Sequence, residues 1–228
     1  MSGLRVVHRE VPFAAPAPGA HDRRSLRMLA YRLRVFDLAL AELALAELGQ
    51  ACGRRYVDLG AGALPFARRA QGAGWAVTAV DARAPWLGEV SADLAHVQED
   101  VRSFDFAGFD AVGIVGLLYH LPLADQVALL RRCAGRPTVI DTEVYSPEAV
   151  PAETYSARLG PAVVREGWRG GVFAEEGRHW SSAGDAESFW LDEAILLALC
   201  GKCGWGEAVV FGPAYASLFG LRRFMVLR

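Results

Sequence analysis

Beyond Gly53 the chain alternates short apolar segments of strand length with segments of helical character, and this alternation most limits its possible folds. Helical segments begin near Pro65, near Pro85 and near Leu123, and a proline suits the first turn of a helix or the approach to it. The apolar segments are residues 56–59, 75–80, 96–98, 109–115 and 138–144. Because strands separated by helices pair in parallel through right-handed crossovers, the pattern predicts a doubly wound α/β sheet.

Further elements are predicted on both sides of this alternation. Residues 1–22 hold prolines among alanines and predict an extended or loose arm, whereas residues 22–49 repeat leucines at near-helical spacing and predict a helix. Toward the C-terminus we expect a helix at residues 192–202 and strands at residues 207–211 and 222–227. The complete prediction is a Rossmann-like, seven-stranded, mostly parallel sheet with an antiparallel last strand.

The length of the chain predicts one domain with additions. At 228 residues it is too short for two domains of common size, and its 53% hydrophobic residues supply a sizeable core. We expect residues 1–52 to form an N-terminal arm and helical extension that packs on the core. Residues 53–228 are expected to form the main domain, with an insertion after strand five at about residues 145–190.

Composition excludes several classes of protein. The formal net charge of −2 provides no global field toward nucleic acid. No apolar run reaches about 18 residues and no segment has the order of a signal peptide, so the sequence predicts a cytoplasmic protein without membrane association. Cys200 and Cys203 have the spacing C-x-x-C but lack a second ligand pair, so we predict buried free thiols and no metal site.

A glycine turn follows the first predicted strand of the alternation. Asp58 lies in that strand, and Gly60 and Gly62 follow at once. Glycines allow the backbone to approach a ligand closely and to adopt conformations that a side chain would forbid. Asp81, 21 residues beyond Gly60, ends the second strand, where a carboxylate can accept hydrogen bonds from ribose hydroxyls. The turn therefore predicts a nucleoside-binding site at the carboxyl ends of the strands.

The residues after the second glycine discriminate between dinucleotides and other nucleoside ligands. A dinucleotide fingerprint requires a third glycine beside the pyrophosphate, and that position is Pro65 here. Asp58 would also lie unfavourably close to a pyrophosphate, whereas its carboxylate suits a cationic ammonium group. These features favour an adenosyl ligand without phosphates.

The same residues resemble motifs of the class I S-adenosylmethionine (SAM) dependent methyltransferases. The resemblance runs from about Tyr56 to Val144 and includes the glycine turn, the acidic end of the second strand and Glu99-Asp100-Val101. It also includes the fourth strand at Phe109 to Val112 and the turn after it at Gly116 to Pro122. Leu64 departs from the family pattern, because many members have a third glycine there. The resemblance implies SAM as the cofactor, with a binding site formed by Asp58, Gly60, Ala61, Gly62, Asp81, Ala82, Asp100, Val101 and Gly116.

Three residues are candidates for acid-base catalysis or contact with the methyl acceptor. His120 is the first, because imidazole titrates near neutral pH and the turn after strand four faces the methyl group in the family. Glu143, at the end of strand five, is a second candidate for acid-base chemistry or substrate anchoring. Tyr119 is the third, more as a cofactor or packing contact than as a base. A structural role for His120 remains an alternative.

The insertion predicts a cover over the acceptor, because it combines many aromatic residues with glycines in a segment too long for an ordinary loop. We expect methyl transfer to oxygen or nitrogen of a small-molecule acceptor, in a branch that resembles tailoring and tRNA wobble-uridine modifying enzymes. The alternatives are a tRNA-modifying enzyme that uses the basic helix from Arg23 to Arg34, and an inactive binding subunit. The oligomeric state stays open, with a homodimer as one alternative.

Overall fold

The computed structural model describes residues 3–16, 21–47, 54–84, 93–149, 158–175, 182–217 and 220–228. Within these ranges the chain forms an eight-stranded sheet, helices on both faces of it, and a separate three-stranded sheet. The helices are α1 (His21–Glu47), α2 (Pro65–Gly72), α3 (Leu123–Cys133) and α4 (Glu193–Cys203). The strands are β1 (Arg5–Glu10), β2 (Arg55–Leu59), β3 (Ala76–Asp81), β4 (Ala95–Gln98), β5 (Ala111–Val115), β6 (Thr138–Val144), β7 (Leu159–Arg165), β8 (Trp168–Ala174), β9 (Glu187–Leu191), β10 (Glu207–Ala216) and β11 (Leu221–Leu227).

The large sheet has the strand order β1-β10-β11-β6-β5-β2-β3-β4. Strands β2 to β6 pair in parallel, as predicted, and β11 runs antiparallel to both β6 and β10. From β2 the chain moves outward to β3 and β4, then returns to β5 on the other side of β2. The crevice between β2 and β5 is therefore the point where strand order reverses, and ligands bind at such points in open α/β sheets.

Two apolar layers enclose this sheet. One contains α1 and α2 residues such as Phe36 and Phe66, and the other contains α3 and α4 residues such as Leu130 and Leu196. The central strand β6 is buried along its whole length. None of the described helices is both long and apolar enough to cross a membrane.

The prediction of seven strands in the main sheet was one too few. The N-terminal arm contributes β1, which pairs in parallel with the free edge of β10 and continues to a hydrogen bond from the Val11 amide to the Gly212 carbonyl, at 2.8 Å. The prolines that indicated a loose arm begin only at Pro12, after this strand has ended. The helix predicted near Pro85 lies outside the described residues.

The insertion also contains strands that the sequence pattern did not indicate. Strands β7, β8 and β9 form an antiparallel sheet instead of a long loop. Two glycines of β8 have a packing role, because a Cβ atom at Gly170 would lie 2.2 Å from the Trp190 carbonyl oxygen and one at Gly171 would lie 2.3 Å from the Tyr145 ring. Close approach of neighbouring groups, and not loop conformation, explains these glycines.

Gly113 in β5 provides a test of packing beside the crevice. A Cβ atom there would lie 1.8 Å from the hydroxyl oxygen of buried Tyr56. We expect Gly113→Ala to lower the free energy of unfolding by about 3 kcal/mol, because the core must shift to admit the methyl group. Gly72→Ala is the matched control, since its Cβ would meet nothing within 4 Å and alanine favours a helix by about 0.5–1 kcal/mol. Urea unfolding would measure both; equal stability of the two variants would contradict the expectation.

Candidate functional site

A cavity of about 650 Å³ opens at the carboxyl ends of the strands around the crevice. This volume falls in the range of about 300–1,000 Å³ that is typical of small-molecule sites. Eight of the predicted site residues line it: Gly60, Gly62, Asp81, Ala82, Asp100, Val101, Gly116 and His120. The lining also includes residues that the sequence did not single out, among them Arg83, Gln98, Arg102, Leu117, Ser182 and Ala183.

The glycine turn is anchored to the end of β3 by backbone hydrogen bonds. The amides of Gly60 and Ala61 both donate to the Val80 carbonyl, at 2.8 and 3.0 Å. Gly60 and Gly62 have φ values of 74° and 50°, which favour glycine. A Cβ atom at Gly62 would meet nothing within 4 Å, so the absent side chain leaves open space beside the cavity.

Asp81, at the end of β3, connects the glycine turn to the wall of the cavity. Its Oδ2 accepts a 2.9 Å hydrogen bond from the Gly62 amide, and its Oδ1 accepts one of 2.9 Å from the Arg83 amide. These bonds fix the carboxylate at the cavity wall. Each carboxylate oxygen retains a second acceptor position that a ribose hydroxyl can use.

Asp100 and Val101 follow β4 at the same side of the cavity. The Arg102 amide donates to Asp100 Oδ1 at 2.9 Å, and Val101 is buried against the core below the lining. The Arg102 guanidinium pairs with Asp125 and with Asp185 of the insertion, so this rim is connected to the insertion. A carboxylate beside an apolar side chain suits the amino edge and the face of an adenine ring.

Leu64 adopts the conformation that a third glycine would adopt. Its φ of 66° and ψ of 14° are left-handed, which is unusual for a residue with a branched side chain. Burial of the Leu64 side chain in the apolar layer with α1 and α2 offsets this strain. The turn therefore enters α2 at Pro65 without the glycine that many methyltransferases have here.

Asp58 lies beneath the glycine turn, buried and away from the cavity lining. Neither carboxylate oxygen accepts a full-strength hydrogen bond among the described residues. Burial, together with the negative charge of Asp81, raises the pKa of Asp58 to about 7, although the Ala67 amide and the Arg32 charge oppose the shift. Ala61, the other predicted cofactor residue of the turn that is absent from the lining, is buried as well.

His120 ends a short 3-10 turn after β5 and contacts a carboxylate that the sequence did not indicate. Its Nδ1 lies 3.1 Å from Oε1 of Glu175, which follows β8 in the insertion. Because a carboxylate only accepts, the pair places the hydrogen on Nδ1 and leaves Nε2 able to accept a proton.

The Glu175 side chain is fully buried and accepts hydrogen bonds from two serines as well. Ser188 Oγ donates to Oε1 at 2.7 Å, and the Ser182 amide donates to Oε2 at 3.1 Å. Burial would raise the pKa of Glu175, but the hydrogen bond and charge of His120 outweigh it and lower that pKa, with help from both serines. Glu175 is therefore a charged partner that fixes the orientation of His120.

The other two predicted catalytic residues, Tyr119 and Glu143, belong to a buried charged network behind the cavity. Arg222 of β11 donates through Nη1 to Glu143 Oε1 at 2.8 Å and to the Tyr119 hydroxyl at 3.2 Å. Ser217 Oγ also donates to Glu143 Oε1, at 2.6 Å. Burial raises the pKa of both Tyr119 and Glu143, with Arg222 acting in the opposite direction.

Asp141 is the centre of this network. It receives hydrogen bonds from Arg222 Nε at 3.1 Å and Nη2 at 3.0 Å, and from Arg32 Nε at 2.8 Å. Burial would raise the pKa of Asp141, but the two arginine charges outweigh it and lower that pKa. No local motif linked Arg32 or Arg222 to Asp141, since the three residues come together only through the pairing of β11 with β6 and the packing of α1.

Most of the described aromatic residues of the insertion pack in the protein interior, Phe189 in the apolar layer with α3 and α4 and three others in a cluster of their own. Tyr145, Phe173 and Trp190 are buried with Tyr119 in one cluster, in which the Phe173 and Trp190 rings stack at 4.8 Å. These residues fill a small core under the insertion. Tyr155, His179 and Trp180 lie outside the described residues, so the cover over the acceptor stays a prediction.

In the basic part of α1, Arg32 is engaged internally, whereas Arg34 is exposed and lies against an aromatic ring. Arg32 reaches Asp141 and lies over the Phe66 ring at 4.8 Å, and Arg34 lies over the Phe13 ring at 3.7 Å. Arg27 is exposed. Among the described residues no cluster of histidine, cysteine or acidic side chains could hold a metal ion, and Cys200 is buried within α4.

Comparison with known proteins identifies the fold. No protein-family model and no curated relative match the sequence. Among solved structures, the chain matches the N-terminal domain of EvdMO1 with S-adenosylhomocysteine (SAH) bound, with a TM-score of 0.61 and 22% identity over 87% of this chain and 79% of that one.

Two methyltransferases are also similar to it. The 1,6-didemethyltoxoflavin-N1-methyltransferase of Burkholderia thailandensis, bound to 1,6-didemethyltoxoflavin and SAH, gives a TM-score of 0.55 and 18% identity over 95% of this chain and 93% of that one. The magnesium protoporphyrin IX methyltransferase of Synechocystis PCC 6803, with bound SAM, gives 0.53 and 16% over 93% and 86%. The chain therefore has the fold of class I SAM-dependent methyltransferases.

The raised pKa of Asp58 predicts a pH dependence of stability. Between about pH 4 and pH 7 the folded protein keeps a proton that the unfolded chain has released, so the Asp58 contribution to stability falls as pH rises through this window. Asp58→Asn removes this titration. We expect the variant to gain on the order of 2–4 kcal/mol relative to wild type between pH 4 and pH 7.5, measured by urea unfolding at each pH. Parallel stability curves for the two proteins would disprove the assignment.

Proposed function

We propose that this protein is a SAM-dependent methyltransferase that transfers a methyl group to oxygen or nitrogen of a small-molecule acceptor. The main support is one observation: in a methyltransferase fold, the cavity at the reversal of strand order is lined by the glycine turn, Asp81 and Asp100 on one side and by His120 on the other. The bound SAH and SAM of the similar structures support the same cofactor.

The residues around the cavity fit an adenosyl ligand. Asp81 would accept hydrogen bonds from the ribose hydroxyls, and Asp100 and Val101 would hold the adenine. Gly60, Ala61 and Gly62 would cradle the remainder of the cofactor, with Ala82 and Gly116 as walls. Asp58 would act from beneath the turn, outside the cavity lining. The Asp81 carboxylate beside the turn, and Leu64-Pro65 in place of a third glycine, oppose a pyrophosphate.

When bound, SAM supplies a methyl group on a positively charged sulfur that is already a good leaving group. The protein must then align the acceptor, exclude water and remove a proton from an acceptor hydroxyl or amine. We assign proton removal to His120 Nε2, because His120 lines the cavity and Glu175 holds the hydrogen on Nδ1. Tyr119 and Glu143 would support the wall behind the acceptor through Arg222.

The competing functions have less support. A tRNA-modifying enzyme would use the cations of α1, and one of them, Arg32, is engaged with Asp141 inside the protein, although Arg27 and Arg34 are exposed. An inactive binding subunit would have no need of a buried glutamate that orients a histidine at the cavity. The two similar methyltransferases act on small ring compounds according to their names, which favours a planar small molecule as acceptor.

Binding of SAH tests the cofactor assignment. We expect Asp81→Ala to weaken SAH binding about 100-fold in isothermal titration, because two hydrogen bonds to a charged group are lost. Asp105→Ala is the matched control, since Asp105 is exposed and outside the cavity lining. Thermal melting without ligand would check that both variants are folded. Wild-type protein that binds neither SAM nor SAH at millimolar concentration would refute the proposed function.

Substitution of His120 and Glu175 tests the acid-base assignment. With a panel of phenols, amines and nitrogen heterocycles as acceptors, we expect His120→Gln to lower the transfer rate about 10²–10⁴-fold. Glu175→Gln should lower it about tenfold, with partial recovery in Glu175→Asp, while SAH affinity stays unchanged. Glu187→Gln, an exposed residue of the same insertion, is the control. A Glu175→Gln protein that loses SAH affinity in proportion to rate would show that Glu175 is structural.

A further inference from the structure

Arg102 joins two parts of the cavity rim that are distant in the chain. Its side chain lines the cavity close to Asp100, and its Nε lies 3.0 Å from an oxygen of Asp125 in the first turn of α3. Its Nη2 donates to Asp185, a residue of the insertion that is 83 positions away. Arg102 therefore holds the insertion against the rim that contains Asp100.

Asp185 also binds Ser182, a buried residue of the cavity wall. Asp185 Oδ2 accepts hydrogen bonds both from the Arg102 guanidinium and from the Ser182 hydroxyl, the second at 2.7 Å. The Asp185 amide donates to Ser182 Oγ in return, at 3.3 Å. Two hydrogen bonds to one aspartate therefore fix the place of Ser182.

Ser182 in turn restrains the carboxylate that orients His120. The Ser182 amide donates to Glu175 Oε2 at 3.1 Å, whereas His120 Nδ1 lies 3.1 Å from the other oxygen, Oε1. Ser188 donates to Oε1 as well, so it does not restrain Oε2. A shift of Ser182 would therefore let the carboxylate rotate and change its angle to the imidazole.

The ion pair between Arg102 and Asp185 is suited to local positioning more than to stabilisation of the whole fold. The Arg102 side chain is 39% exposed and the Asp185 side chain 18%, and ion pairs open to solvent contribute little to the free energy of unfolding. The insertion contains a second ion pair, between Arg165 of β7 and Glu187 of β9, with both side chains roughly half exposed. This second pair joins two strands of the insertion and serves as a comparison.

We propose that Arg102 and Asp185 are positioning residues, which hold His120 in its productive orientation. This inference rests on the proposed function. The ion pair between them sets the place of Ser182, and Ser182 restrains the carboxylate that orients the imidazole. The part of the cavity that would receive the adenine is thereby connected to the part that would receive the acceptor.

Hydrogen exchange of the Ser182 amide tests the structural part of the proposal and needs neither cofactor nor acceptor. By NMR we expect this amide to exchange about tenfold faster in Asp185→Asn than in wild type, because its hydrogen bond opens more often once the ion pair is lost. Arg102→Gln should have the same effect. Glu187→Gln is the matched control and should leave the exchange rate unchanged. Equal exchange in wild type, Asp185→Asn and Arg102→Gln would overturn the proposal.

A double-mutant cycle between Asp185 and Glu175 tests the catalytic part. With the panel of acceptors, we expect Asp185→Asn to lower kcat about fivefold in wild type and to have no further effect in Glu175→Gln, because Asp185 acts through that carboxylate. The KM for SAM should stay unchanged, and Asp185→Glu, which keeps the charge, should recover part of kcat. Losses that multiply in the double variant, or a kcat that Asp185→Asn does not change, would overturn the proposal.

Thermal melting shows whether the variants are folded, and we expect all of them to melt close to wild type because the ion pair is partly exposed. If Asp185→Asn does not fold, Arg102→Gln takes its place in the cycle with Glu175, with the same expected outcome. Failure of wild type to bind SAM or SAH would refute the proposed function. Multiplied losses in a protein that binds SAH and transfers methyl groups would refute only the role of the ion pair.

Discussion

The attachment of the glycine turn to the end of β3 is the constraint on which the rest of the site depends. Two amides of the turn donate to the Val80 carbonyl and a third donates to Asp81, so the turn and the carboxylate fix each other. The free-energy cost of this arrangement is local, because Leu64 adopts a left-handed conformation and the Asp58 carboxyl group is buried away from water. Burial of apolar side chains around α2 offsets this cost, which is why a strained turn persists here.

The charged network behind the cavity is the second organising element. Arg222 joins β11 to β6 and connects both to the turn that carries His120, through Tyr119. A buried arginine is tolerated because Asp141 and Glu143 compensate its charge, and loss of either partner would leave a charge costing about 3–5 kcal/mol. The network connects β11 to the turn that carries His120, although β11 lies far from this turn in sequence.

Local patterns in the sequence predicted the parallel core of the sheet and the position of the cavity, because short stretches of the chain determine both. The alternation gave the strands of the parallel core, and the spacing of Gly60, Gly62 and Asp81 gave the position of the cavity. Glu175, Arg32 and Arg222 could not be predicted, because their partners lie 55, 109 and 81 residues away and no spacing rule connects them. The strands β1 and β7 to β9 were missed for a related reason. Prolines and glycines in or near these segments indicated loops, whereas contacts with distant parts of the chain hold the segments in an extended conformation.

The position of Glu175 in the insertion limits how such a protein could change its substrate. The histidine follows β5 at the crevice of the sheet, whereas its buried partner belongs to the insertion that we expect to cover the acceptor. Exchange of the whole insertion for another cover would therefore remove the anchor of the imidazole together with the old specificity. Evolution or engineering of a new acceptor preference would have to retain this glutamate, or place a new acid opposite the same ring nitrogen.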